Sequence, residues 1–166
     1  MDEFQLSMNN MAMMTALIGL VMMISAIFAG SAVSRYFKNR EKQVILVASI
    51  AGGLVAFLLS KSHSLILSML FLAIAVAAAS VGFATLMSLP VKFFAEREVS
   101  TKYAIINAIG VSGGFFAPMI IGALVNTSGS YEGAFTFIAL VFILSGFVSL
   151  AIQSNSEKEM IGELER

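Results

Sequence analysis

Residues Tyr103–Gly122 read YAIINAIGVSGGFFAPMIIG and carry no charge. Gly110, Gly114, Pro118 and Gly122 recur four residues apart. On a helix that spacing draws a slowly turning stripe almost free of side chains. In lipid, where the hydrophobic effect does not pull helices together, such stripes let backbones approach and are a main source of association. Asn107 lies about one turn before the stripe, and Pro118 lies inside the apolar run. An interior proline costs roughly 3 kcal/mol in a water-exposed helix. A membrane helix tolerates it, because neighbouring helices and side chains satisfy the freed carbonyl. The stretch is therefore expected to cross a membrane. Two roles stay open for it: packing against another helix, with Gly114 at the contact and Leu124 toward lipid, or lining the path of a solute.

The rest of the chain has the same character. Of 166 residues, 58% are hydrophobic and 12% charged, against about 25% charged in soluble domains. A span needs about 20 apolar residues. Uncharged runs at 11–33, 44–60, 65–89, 103–125 and 134–152 meet or approach that length. The expected fold is an all-α integral membrane protein of five transmembrane helices over 11–152. A lead of 1–10 precedes them and a polar tail of 153–166 follows. Asp2 and Glu3 precede the first run and Arg35 follows it. That is the reverse of a cleavable signal, which starts basic, so the first run is expected to be retained.

Small residues mark further helix faces: Ala12, Ala16, Gly19, Ala26 and Gly30 on the first run, and Ala73, Ala77, Ser80, Ala84 and Ser88 on the third. The methionines of the first run serve as flexible filling. Between the first two runs, Arg35, Lys38, Arg40 and Lys42 crowd a short loop. Val91–Lys102 is expected to be a mixed-charge loop, and Asn126–Gly133 a turn. His63, the one histidine, sits in the tight turn Lys61–Ser64, with no acid nearby in sequence to orient it.

Several chemistries are missing. There is no cysteine, hence no disulfide or thiolate metal site. No run supplies paired carboxylates, a nucleophile–base pair, a phosphate loop or metal-ligand spacing. An enzyme is not expected, nor a cofactor, a metal or a nucleic-acid partner. No ionisable residue falls within a span, and it is such residues that usually mark proton relays and ion paths. Thr15, Ser80, Thr85 and Asn107 are the candidate groups for a solute path, being polar residues on the spans with small faces. Each hydroxyl could instead bond back to its own helix.

In two places the residues resemble the major facilitator superfamily of secondary transporters. Gly30, Arg35, Lys38 and Arg40 are similar to the family's loop between its eighth and ninth helices. Ser34 and Phe37 stand where that loop often carries an acid and a second glycine. Tyr103–Gly133 is similar to the eleventh helix and its exit: Asn107, Gly113-Gly114, Ala117-Pro118, Gly122, then NTSGSY from Asn126 to Tyr131. Within the family the anion-symporter branch has a similar eleventh helix.

The resemblance sets the five runs in register with helices eight to twelve. It implies two six-helix halves that rock about a midplane solute site. The chain would then be a fragment of the second half. Its partners would be the bilayer, a small organic solute and the remaining helices of the carrier, and it would not transport alone. The competing expectation is a self-standing five-helix membrane protein that serves as an assembly or interaction subunit.

Orientation follows from lysine and arginine. With the first loop inside, nine of the ten basic residues are cytoplasmic and only Lys61 is outside. The positive-inside bias then puts the N-terminus outside and the C-terminus in the cytoplasm, in a plasma membrane of bacterial type. Reporter fusions after Lys42 and Ser100 are expected to register cytoplasm, and fusions after Ser62 and Ser128 the outside. An external signal after Lys42 would reverse the orientation.

Overall fold

The computed structural model describes residues 7–37, 40–94 and 96–151. Five helices follow one another: α1 (Met8–Tyr36), α2 (Glu41–Ser60), α3 (Leu65–Phe93), α4 (Glu96–Ser128) and α5 (Glu132–Leu150). All five are long and apolar enough to cross a membrane. The lead residues 1–6, Lys38 and the tail lie outside the described residues.

The helices run further than the apolar stretches. Most of the basic loop after the first run is helical: Gly30 and Arg35 lie on α1, whose last turn Arg35 occupies. The mixed-charge stretch Val91–Lys102 is also largely helical, since α3 continues to Phe93 and α4 starts at Glu96. Hydropathy marks where lipid ends, but helical hydrogen bonding continues into water when side chains support it. Here Glu98 and Lys102 pair one turn apart at 2.9 Å, an arrangement that stabilises exposed helix. Lys102 also lies 4.3 Å from the centre of the Phe94 ring, a cation–π contact. At 33 residues, α4 is about 50 Å long at 1.5 Å per residue. That exceeds a hydrocarbon core of about 30 Å, so its charged first turns have room to stand clear.

Pro90 and Pro118 both lie inside helices. The turn between α4 and α5 is set by Gly129, with φ 68° and its N–H on the Val125 carbonyl at 2.9 Å. Glycine takes that left-handed conformation without steric cost and ends the helix there.

The core is made by α2 between α3 and α5, with α1 on α3. The buried residues of α2 recur every three or four positions: Ile45, Ala48, Ser49, Gly52, Gly53 and Ala56 among them. Most buried apolar residues are alanines, while Phe83, Phe115 and Leu140 are exposed. In water this would be inverted; in lipid it is the expected order, small residues inside and large apolar ones toward acyl chains.

The tightest contact joins α2 to α5. A Cβ on Gly53 would fall 2.7 Å from Ile143 Cγ1 and 2.9 Å from the Ala139 carbonyl oxygen. One on Gly52 would meet the Phe142 ring at 2.9 Å, and one on Gly146 would meet Ser49 Cβ at 3.0 Å.

The stripe on α4 is different. A Cβ added to Gly110, Gly114 or Gly122 would meet nothing from a neighbouring element within 4 Å, Pro118 is exposed, and no residue of α4 is fully buried. What α4 turns toward its neighbours includes Ile106, Ile121, Leu124 and Val125, all half-buried. Among the described residues, then, no helix meets the stripe, and Leu124 is partly covered. Residue spacing identifies a face that can pack closely; it does not say which face has a neighbour.

Gly53→Leu is expected to destabilise the bundle by about 1–3 kcal/mol, the usual cost of overpacking, read as loss of monodisperse protein on heating in detergent. Gly114→Leu in the same chain is expected to leave that profile nearly unchanged.

Candidate functional site

The polar candidates divide into covered and exposed. Ser80 and Thr85 on α3 are buried, Thr85 to 1% exposure. Ser80 Oγ donates to the Val76 carbonyl at 2.8 Å, and Thr85 Oγ1 to the Val81 carbonyl at 2.7 Å. Thr15 on α1 is exposed and donates to the Met11 carbonyl at 2.9 Å. Each hydroxyl therefore satisfies itself one turn back, the ordinary state of Ser and Thr in a membrane helix. Asn107 is exposed on α4, close in sequence to the exposed glycines. None of the four lines any of the three cavities described here.

Those cavities lie between helices. One of about 350 Å³ is lined by Met11, Met14, His63, Met69 and Tyr131 near the Lys61 end of the bundle. Another, of about 640 Å³, lies between α3 and α5, with Gly82, Phe83 and Phe142 on its walls. The third, of about 620 Å³, separates α1 from α2 and ends at Arg40.

Charge is confined to the two ends. At one end Lys61 pairs with Glu132, joining the C-terminus of α2 to the N-terminus of α5, both side chains more than half exposed. At the other, Lys92 near the end of α3 pairs with Glu41 at the start of α2. The Glu41 side chain is 7% exposed. A buried carboxylate needs such compensation, because removing it from water is costly. Residue spacing did not reveal this contact: Glu41 sat among charges in an expected loop, and its partner lies 51 residues away. On the same end Ser149 Oγ reaches the Lys42 carbonyl at 3.4 Å. Midway, Ser145 Oγ and Ser49 Oγ are 3.4 Å apart. These contacts make α2 antiparallel to both α3 and α5. They gather Arg35, Arg40, Lys42 and Lys92 at one end, with Lys61 at the other.

Among the described residues no group of three His, Cys, Asp or Glu could hold a metal ion. Among the described residues no basic side chain lies within the apolar spans, so the polar groups at mid-depth are hydroxyls and an amide.

Lys92→Met is expected to lower stability by about 1–3 kcal/mol, the cost of withdrawing a partner from a buried acceptor. Lys61→Met is expected to change it little, since that pair is exposed. Thermal unfolding of both variants checks the contrast, and adding Glu41→Gln to Lys92→Met should recover part of the loss.

The Major Facilitator Superfamily sequence model matches residues 1–165. Two proteins of Agrobacterium vitis, each named "Putative tartrate transporter", are similar to part of the chain. One is 34% identical over 73 residues, covering 44% of this chain and 16% of the relative. The other is 36% identical over 67 residues, covering 40% of this chain and 16% of the relative. The aligned part thus spans well under a fifth of either curated relative. No solved structure matches.

Proposed function

The chain belongs to the major facilitator superfamily, and from that premise we propose that its five helices form part of the second half of a secondary carrier for a small organic anion. The observation that carries this is the state of α4. It is the longest of the described helices, none of its residues is fully buried, and its glycines and Asn107 are exposed. A 33-residue helix with a face made for close approach is suited to receive helices beyond the described five. In the proposed carrier those are the seventh helix and the first half, which closes over the face of α4 and rocks against it.

The division of chemistry follows from charge. A dicarboxylate such as tartrate, the solute in the relatives' names, needs cations or many donors to leave water. The described spans hold none of the cations, so the covering helices supply them. Asn107, and Thr15 on α1, contribute neutral hydrogen bonds to the solute. Ser80 and Thr85 sit deeper and steady α3. Gly110, Gly114, Pro118 and Gly122 let the covering helix approach. The basic end, including Arg35 and Arg40, faces the cytoplasm of a bacterial-type cell.

Uptake of labelled tartrate and related organic anions into vesicles tests this. The chain alone is expected to give no saturable uptake; co-reconstitution with a seven-helix N-terminal partner is expected to restore it. Asn107→Leu should lower that uptake about tenfold or more while leaving assembly intact. Saturable uptake by the chain alone would overturn the division of labour. Complex formation without uptake of any anion would favour an assembly subunit.

A further inference from the structure

We propose that the groove between α1 and α2 is a binding site for one anionic phospholipid, with an acyl chain along the groove and the phosphate at Arg40. This does not depend on the transport reading, only on the chain lying in a membrane. The cavity holds about 620 Å³. Phe28, Ala29 and Val33 wall it on α1, Val47 and Ala51 on α2, and Ala78 of α3 forms part of its floor. Ala29 and Ala48 are buried there, while Phe28 and Val47 are 68% and 65% exposed along the rim.

Length and polarity identify the occupant. From Arg40 to Ala51 the groove follows α2 for about 16 Å at 1.5 Å per residue. One leaflet of hydrocarbon is about 15 Å deep, half of a core of about 30 Å. The groove therefore accommodates the depth of one leaflet. Its polar side chains gather at one end, where Arg40 and Gln43 stand beside Phe37; Ser25 is the one polar group deeper in. An extended apolar chain with a polar anionic head has that pattern. A transmembrane helix would need a groove of the full membrane thickness, about 30 Å of hydrocarbon.

Arg40 is also available. It caps α2 by its backbone alone, with no side-chain capping bond. Among the described residues it makes no ion pair. Glu41, the adjacent acid, is buried and paired with Lys92. A guanidinium presents a fork of donors that matches phosphate oxygens. Basic pockets between membrane helices recognise anionic headgroups in this way. The α4 surface assigned to the rest of a carrier is elsewhere, since α4 contacts α3 and α5.

The chain has no tryptophan, so Val47→Trp places a single fluorophore on the groove rim. Leu140→Trp places one on the exposed surface of α5 as a control. Each variant is reconstituted in phosphatidylcholine vesicles containing a minor fraction of lipid brominated on its acyl chains, either phosphatidylglycerol or phosphatidylcholine. At Val47→Trp, brominated phosphatidylglycerol is expected to quench at least twofold more than brominated phosphatidylcholine; at Leu140→Trp the two should be equal.

Adding Arg40→Gln should bring the ratio at Val47→Trp to one, and Arg40→Lys should keep part of it. Ala51→Phe, which fills the deep end, should lower quenching with Arg40 intact. If Val47→Trp does not fold, Phe28→Trp reports from the opposite wall. Equal quenching by the two lipids at the groove overturns the site. So does a preference that survives Arg40→Gln, one that is equally strong at Leu140→Trp, or one untouched by Ala51→Phe, which would be headgroup attraction without an occupied groove.

Discussion

The backbones of α2 and α5 meet at Gly52, Gly53 and Gly146, and the other helices are arranged around that contact. In a bilayer the alternative to helix–helix contact is helix–lipid contact, which is equally apolar. Association must then come from dispersion at close range and from interhelical hydrogen bonds. Three glycines whose added Cβ would come within 3.0 Å of the opposite helix give the first. Ser49, Ser145 and Ser149 give the second. With α5 seated, the remaining small face of α2 takes α3, and α3 takes α1. Lys61–Glu132 and Glu41–Lys92 close opposite ends of α2. Sliding either neighbour by one turn would break a pair.

The same constraint orders the polar groups. A hydroxyl in lipid cannot wait for water, and Ser80, Thr85 and Thr15 each bond a carbonyl on their own helix. Charges are pushed to the ends, where the buried Glu41 carboxylate is compensated by Lys92. The result is a bundle with little electrostatic character at mid-depth and a strong one at its basic end. In the proposed anion carrier, that would leave recognition of charge to helices beyond the described five. It also leaves the basic end as the part of the bundle suited to the anionic headgroup proposed above.

Much of this was legible in residues taken in order. Apolar runs separated by charge required five helices, because an unpaired backbone is not tolerated in hydrocarbon. The segment Tyr103–Tyr131, with its glycines, Pro118 and NTSGSY exit, pointed to the family that the whole chain matches. The limits of the helices were less legible. Hydropathy reports contact with lipid, and the charged turns at Arg35 and at Glu96–Lys102 stay helical outside it.

Which small faces pack was legible only in part: the face of α3 does lie inside, with Ser80 buried and Ala73, Ala77, Ala84 and Ser88 half-buried, but the stripe of α4 meets no described helix. The glycines of α4 recur every four residues and the small residues Ala48, Ser49, Gly52, Gly53 and Ala56 of α2 recur every three or four, yet a Cβ on Gly114 would meet nothing within 4 Å while Gly53 lies against Ile143 and the Ala139 carbonyl. Nor did any local pattern single out Glu41 and Lys92 as partners, or show that Thr85 would be buried and Asn107 exposed. Spacing, hydropathy and charge are properties of one segment, and they determined the five described helices, their apolar character, and which could approach another closely. The choice of neighbour is a property of two segments at once. It was decided where α2 and α5 come into van der Waals contact at Gly52, Gly53 and Gly146.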